Sequence, residues 1–223
     1  MRKSLAGFAI LAAVCANASA MIIDHFNTGN LSLTAFTSGP LNVTGEEAAT
    51  VLGGYRGGDI TITGGPSGLS ASVIVLPAQD NLAYSNDATV TSIGTMIYDG
   101  IGSTGLGGID ITGEAAFSMY VFSLNISVDW KMTVEDTSNL TKVGTMTIPN
   151  LTANQWFFMP FSSLTGTADL TQVDKITVSF TSNSSVFASD LRVDLIGTGI
   201  PEPGTLSLLG LGLLAAVRRY RRR

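Results

Sequence analysis

The sequence predicts an all-β protein whose central part, residues 21–200, folds as a single jelly-roll-like β-sandwich. Short runs rich in Val, Ile, Thr, Tyr and Phe recur there between Gly, Asn, Asp and Pro residues, a pattern typical of strands joined by turns. No stretch of useful length places apolar residues at helical spacing. Apolar residues make up 45% of the 223 residues and charged residues only 13%, so the chain has enough apolar surface to fold around a core.

Twelve strands are predicted in order along this part of the chain. They lie at residues 21–26, 31–36, 59–63, 70–76, 81–85, 89–98, 116–124, 126–135, 142–148, 155–160, 174–181 and 187–196. A dozen short strands with short connections favour a sandwich or jelly roll over alternating strands and helices.

Alternation between apolar and polar residues predicts which side of each strand faces the core. It is clearest in 128–135, where Val128, Trp130, Met132 and Val134 are predicted to point inward, and Asp129, Lys131, Thr133 and Glu135 outward. The aromatic run Trp156-Phe157-Phe158 is interpreted as part of the core.

The N-terminus has the organisation of a secretory signal peptide, residues 1–20. Arg2 and Lys3 precede an apolar stretch at 5–14, and Ala18-Ser19-Ala20 fits a signal-peptidase site, so Met21 is the predicted mature start. The single cysteine, Cys15, lies inside this segment. The mature protein is therefore predicted to lack disulfides, thiolate catalysis and cysteine-bound metals.

The C-terminus, residues 201–223, combines three features in a fixed order. Pro201-Glu202-Pro203 precedes an apolar stretch of 13 residues at 205–217, and the chain ends with five arginines, namely Arg218, Arg219, Arg221, Arg222 and Arg223. As a helix the apolar stretch would be about 20 Å long, shorter than a comfortable membrane span. The arginines are predicted to stay cytoplasmic and to anchor the chain in the bacterial membrane, with the sandwich outside.

These three features resemble a PEP-CTERM sorting signal. The resemblance implies that an exosortase recognises Pro201, Glu202 and Pro203 and removes the tail. It also implies an exported protein, held transiently at the inner membrane and then located in the envelope, at the surface or in the extracellular matrix of a Gram-negative bacterium.

The body of the chain has a second resemblance, carried by glycine-rich segments that precede strands at 51–62 and 98–111. It is similar to exported proteins whose predicted jelly roll resembles galactose-binding and carbohydrate-binding modules. This similarity implies extracellular polysaccharide as a partner. Tyr55 and Arg56, side by side in one of these segments, are the candidate ligand-binding residues.

The charge distribution limits the partners of the central domain. Residues 21–203 hold five basic and all 17 acidic residues, a net charge of −12, which opposes nucleic-acid binding. No cofactor is certain, but a structural calcium ion is a candidate because carboxylate oxygens from loops suffice to bind it. Asp24, Asp190 and Asp194 would converge on such an ion if the first and last strands pair; otherwise they belong to a solvated acidic face.

Nothing in the sequence has the pattern of a catalytic site. His25 is the only histidine, and the glycines between Gly100 and Gly108 precede a predicted strand, not the helix of a phosphate-binding loop. The sequence therefore predicts a non-enzymatic exported protein that is a candidate for polysaccharide binding. Two alternatives stay open: a carbohydrate-active hydrolase with a carboxylate pair, and a purely structural surface protein.

Overall fold

A computed structural model of the chain describes residues 20–151, 154–182 and 188–199. Within these ranges the protein is all-β, and its strands in chain order are β1 (Ile22–Asp24), β2 (Ser32–Phe36), β3 (Asn42–Ala48), β4 (Tyr55–Gly64), β5 (Ser70–Leu76), β6 (Asn81–Asn86), β7 (Thr91–Tyr98), β8 (Ala116–Leu124), β9 (Val128–Asp136), β10 (Thr141–Ile148), β11 (Gln155–Pro160), β12 (Thr165–Gly166), β13 (Val173–Ser182) and β14 (Ser189–Thr198). Single 3₁₀ turns occur at Leu52–Gly54, Pro77–Gln79, Ile101–Ser103 and Phe161–Ser163. No helix in the described ranges is long and apolar enough to cross a membrane.

The strands form two seven-stranded sheets, and every strand pair is antiparallel. Sheet A has the order β11-β8-β14-β6-β5-β2, with β1 added beside β14, and sheet B the order β12-β10-β9-β13-β7-β4-β3. The chain passes repeatedly from one sheet to the other. This architecture confirms the predicted jelly-roll-like β-sandwich.

The core lies between the two sheets and follows the alternation of the sequence. Val128, Trp130, Met132 and Val134 are all fully buried, as predicted. Tyr84 of sheet A stacks on Phe180 of sheet B with 6.2 Å between the ring centroids. The space for this contact depends on Gly94, where an added Cβ would come within 2.7 Å of the Tyr84 ring.

All twelve predicted strands are present, but the sequence interpretation missed two others. β3 contains Asn42-Val43-Thr44-Gly45-Glu46-Glu47-Ala48, none of which is buried. It forms the edge of sheet B and pairs only with β4, so it lacks the buried apolar residues by which strands are recognised. β12 consists of only two exposed residues, Thr165 and Gly166.

The first and last strands pair, so both ends of the sandwich meet at one place. Ile22 lies opposite Gly197, and Asp24 opposite Ile196. The backbone N–H of Thr198 donates to the carbonyl of Met21 at 2.8 Å. Met21 and Thr198, near the two ends of the described sandwich, therefore lie side by side.

Candidate functional site

A contiguous group of aromatic side chains lies on the outer face of sheet A, where it meets solvent. This aromatic strip consists of Tyr120 and Phe122 on β8 and Trp156 and Phe158 on the neighbouring β11. The rings of Tyr120 and Trp156 have centroids 5.1 Å apart, and those of Trp156 and Phe158 are 6.1 Å apart with nearly parallel planes. Phe122 keeps 56% of its surface exposed.

The strip corrects the interpretation of Trp156-Phe157-Phe158 as core. Only Phe157 is buried, at 7% exposure, because successive side chains of a strand point to opposite faces of the sheet. The interpretation was therefore wrong for Trp156 and Phe158. On β8 the same alternation buries Met119 and Val121 and sends Tyr120 and Phe122 outward.

The aromatic strip borders a groove of about 380 Å³ that crosses three adjacent strands of sheet A, β8, β14 and β6, and reaches the start of β11. Tyr120 and Phe122 form its apolar wall. Its other lining residues are polar and come from β14, from the turn before β6, from the start of β6 and from the residue before β11, namely Gln79, Asp80, Asn81, Asn154, Arg192 and Asp194. An apolar wall with a few polar groups facing it is the general composition of a ligand-binding site.

Hydrogen bonds fix several of these polar side chains. Nη1 of Arg192 donates to Oε1 of Gln79 at 2.7 Å, and Asn154 donates to the hydroxyl of Tyr120. Nδ2 of Asn81 donates to the carbonyl of Gln79 at 3.0 Å. Oδ1 of Asn81 is buried and has no hydrogen-bond partner among the described residues. A buried acceptor without a partner is unfavourable, so this atom is available to a donor from a ligand.

Neighbouring groups change the pKa of one carboxylate of the groove, Asp194. Partial burial raises the pKa of Asp194, and the negative charge of Asp80 raises it further, while His25 acts in the opposite direction. Asp80 is exposed and follows the 3₁₀ turn in a left-handed conformation, with φ at 50°.

Asp24 and Arg56, predicted as a calcium ligand and a ligand-binding residue, instead contact each other in the interior. Nε and Nη2 of Arg56 each donate to one carboxylate oxygen of Asp24 at 2.7 Å. Nη1 donates to Glu47 at 2.5 Å, and the hydroxyl of Tyr98 donates to Asp24 at 2.9 Å. Because Arg56 and Asp24 are almost fully buried, neither is presented to solvent.

Burial and neighbouring charges change the pKa values of two groups in this buried network, Arg56 and Tyr98. Burial alone lowers the pKa of Arg56, but the hydrogen bonds and negative charge of Asp24, together with Glu47, outweigh it and raise the pKa. Burial and the adjacent Asp24 raise the pKa of Tyr98 well above its usual value, so its hydroxyl stays protonated and donates. The network joins β1 of sheet A to β3, β4 and β7 of sheet B.

The three candidate calcium ligands do not share one location. The pairing of β1 with β14 that the prediction required is present, but Asp24 points inward to Arg56. Asp190 and Asp194 lie on the outer side of β14, four residues and therefore about 13 Å apart. In the described part of the chain, no three His, Cys, Asp or Glu side chains are placed to hold a metal ion. Calcium binding stays a prediction.

Tyr55, the other predicted ligand-binding residue, is half-buried at the start of β4, opposite Ala48 of β3. A second depression, of about 660 Å³, lies nearby on sheet B around Gly57, Asp59 and Lys175. None of its lining residues is a Tyr, Trp or Phe. The groove on sheet A is therefore the stronger candidate site, and sequence reasoning missed it.

The predicted sorting residues, Pro201, Glu202, Pro203 and the terminal arginines, lie outside the described residues. A comparison with protein families includes these residues: residues 199–223 match the PEP-CTERM protein-sorting motif. The chain carries a PEP-CTERM tail. This motif confirms the resemblance found in the sequence, and it indicates an exported protein with a membrane-anchoring C-terminus before processing. No curated protein sequence matches the chain.

Solved structures similar to the sandwich that precedes the PEP-CTERM tail include several carbohydrate-active proteins. The family 11 carbohydrate-binding module of the cellulosomal cellulase Lic26A-Cel5E of Clostridium thermocellum aligns over 84% of this chain and 99% of its own, with 12% identity and a TM-score of 0.42. The agarase AgWH50C aligns over 64% of this chain and 22% of its own, with 11% identity and a TM-score of 0.42. A family 29 module, CBM29-2, aligns over 77% and 88%, with 8% identity and a TM-score of 0.37. These similarities are distant.

Proposed function

We propose that this protein is a non-enzymatic component of the cell envelope or extracellular matrix, sorted by an exosortase, and that the groove on sheet A binds polysaccharide. The observation that carries the binding proposal is the aromatic strip. Folding normally removes large apolar side chains from water, and an exposed contiguous group of them marks an interaction surface. Phe122 is exposed and Tyr120, Trp156 and Phe158 are half-buried, so all four reach the surface beside the polar groove.

Sugar rings match this combination of surfaces chemically. The axial C–H groups of a pyranose ring form an apolar face that packs on an aromatic ring, while its hydroxyl groups need hydrogen-bond partners. Trp156 and Tyr120 supply the platform. Gln79, Asn154 and Arg192 supply donors and acceptors at its border. The bond from Arg192 to Gln79 and the bond from Asn154 to Tyr120 hold these side chains in place before a ligand arrives.

Binding is tested with the purified full-length protein, in mild detergent where the tail is retained. Affinity electrophoresis against a panel of soluble polysaccharides, with and without calcium, gives the dissociation constants. Replacing Trp156 with Ala should weaken binding about tenfold or more, because a buried aromatic contact carries much of such an interface. Phe36→Ala is the matched control, since Phe36 is an aromatic of β2 at the opposite edge of sheet A, 45% exposed. No binding to any polysaccharide would contradict the proposal and favour a purely structural role.

Sorting is tested separately in a host that contains an exosortase. Replacing Pro201, Glu202 and Pro203 together with alanine should leave the tail attached, and the mature protein should then accumulate in the membrane fraction with an unchanged C-terminus by mass spectrometry. Replacing Ser207 inside the apolar stretch with Ala is the control, since it leaves the motif intact. Normal processing of the triple variant would contradict exosortase sorting.

A hydrolase is the second candidate, favoured by one specific observation. Asp80 and Asp194 line the same groove, and Asp194 has a raised pKa, as a glycosidase requires of its general acid. The test measures new reducing ends when the protein is incubated with each polysaccharide that it binds. Release that Asp194→Asn abolishes without loss of binding would establish the hydrolase. No release from any bound polymer would leave the non-enzymatic proposal standing.

A further inference from the structure

The groove carries an excess of negative charge. Asp80 and Asp194 contribute two carboxylates, whereas Arg192 is the only cation among its lining residues. The guanidinium of Arg192 already donates to Gln79, so one of its donors is occupied. A ligand entering the groove therefore meets more negative than positive charge.

The rest of the domain reinforces this negative potential. The described residues include 16 acidic and five basic side chains. Arg56 is buried in its ion pairs with Asp24 and Glu47, which leaves Arg192 and three lysines as basic groups near the surface. The summed field of such a domain repels anions and concentrates cations close to it.

The unpartnered oxygen of Asn81 independently favours a ligand that donates hydrogen bonds. Asn81 lines the groove with only 7% of its surface exposed, and its Oδ1 lacks a partner among the described residues. Because an amide oxygen only accepts hydrogen bonds, it is satisfied by an N–H or O–H donor of the ligand. A carboxylate group on the ligand would leave it unpaired.

We propose that the groove selects polysaccharides that carry protonated amino groups over neutral ones, and neutral ones over polymers of uronic acids. The proposal rests on the polysaccharide-binding function proposed above and specifies its ligand class. An ammonium group offers three donors and a positive charge to Asp80, Asp194 and Asn81, and hydrogen bonds between charged groups are shorter and stronger than neutral ones. A uronate places a carboxylate beside Asp80 and Asp194 and is repelled.

The test uses three soluble β-1,4-linked polymers that differ mainly in charge. These are chitosan with free amino groups, neutral hydroxyethyl cellulose, and polyglucuronate prepared by oxidising cellulose. Dissociation constants are measured for the full-length protein at low salt, at a pH below the pKa of the glucosamine amine. We expect chitosan to bind at least about fivefold more tightly than hydroxyethyl cellulose, and polyglucuronate to bind most weakly.

Three variants distinguish attraction by the carboxylates of the groove from attraction by the negative charge of the whole domain. Asp80→Asn and Asp194→Asn should each bring the ratio of chitosan to hydroxyethyl cellulose affinity close to one. Glu46→Gln removes the same charge from an exposed residue of sheet B and should leave the ratio unchanged. Asp80 is exposed, so Asp80→Asn keeps the fold and remains informative if Asp194→Asn perturbs it.

The outcomes distinguish the two proposals. Polyglucuronate binding as tightly as hydroxyethyl cellulose, or an affinity ratio that Asp80→Asn leaves unchanged, would overturn the charge selection while polysaccharide binding stands. If the wild type and all three variants bind chitosan equally, the attraction for chitosan comes from the charge of the whole domain. This result would also overturn the proposal of charge selection by the groove. Binding to none of the three polymers would overturn both proposals.

Discussion

Removing the guanidinium of Arg56 should strongly destabilise the sandwich. In the Arg56→Met variant, Asp24 loses both of its 2.7 Å charged hydrogen bonds and remains in the interior, where only Tyr98 and the backbone N–H of Phe26 still donate to it. Leaving one member of a buried ion pair without its partner costs about 3–5 kcal/mol. For a domain of this size we expect the melting temperature to fall by roughly 6–20 °C.

The assay is thermal and urea unfolding followed by circular dichroism and tryptophan fluorescence. Because the cost comes from the stranded carboxylate of Asp24, the double variant Asp24→Asn/Arg56→Met should recover at least half of the lost stability. Replacing a buried pair with neutral groups is often close to neutral. An Arg56→Met variant that melts within about 2 °C of the wild type, or a double variant no more stable than the single one, would refute this reasoning.

Three further predictions concern the core and the groove. Phe157→Ala should cost about 3–5 kcal/mol in urea unfolding and Phe158→Ala about 1 kcal/mol or less, because only Phe157 fills the core; equal losses would contradict the assigned faces of β11. Gly94→Ala should lower the urea midpoint by an amount equivalent to about 1–3 kcal/mol, since the new methyl group meets the Tyr84 ring; wild-type stability would show that the core adjusts freely there. The raised pKa of Asp194 means that its ionised form destabilises the fold, a penalty relieved as the pH falls through that pKa. Asp194→Asn should therefore raise the melting temperature at pH 7 and have no effect below the ordinary pKa of aspartate, and a lower melting temperature at pH 7 would contradict this.

The fold was predictable because most of its strands have one buried face. Alternation over 128–135 identified four core residues correctly, and the strands Ser70–Leu76, Ala116–Leu124 and Gln155–Pro160 begin and end where the sequence placed them. β3 was not predictable in the same way, because Glu46 and Glu47 belong to an edge strand whose stability comes from backbone pairing with β4. The sheet order depends on contacts between distant residues, which local patterns do not contain.

The candidate site was only partly predictable, for a related reason. Asp194 was predicted as a calcium ligand and lies in the groove, but the sequence did not show which acidic residues face outward from the same sheet. The groove joins residues separated by up to 115 positions, from Gln79 to Asp194, which come from three strands, the turn before β6 and the residue before β11. The alternation around Trp156 and Phe158 did contain a usable signal: three consecutive aromatics in one strand cannot all face the same side.

The strand β14 connects the proposed binding groove to the PEP-CTERM tail. Asp194 lines the groove, and Thr198, four residues further on and therefore about 13 Å away, is the last residue of the strand. The match to the sorting motif begins at the next residue, Gly199, so the strand and the motif are adjacent in the sequence. On the proposed function, the binding groove and the sorting segment are therefore only a few residues apart along the chain. The backbone N–H of Thr198 donates to the carbonyl of Met21, so β1 and β14 are joined up to the last residue before the motif. We therefore expect the sandwich to keep this strand pairing when the tail is removed.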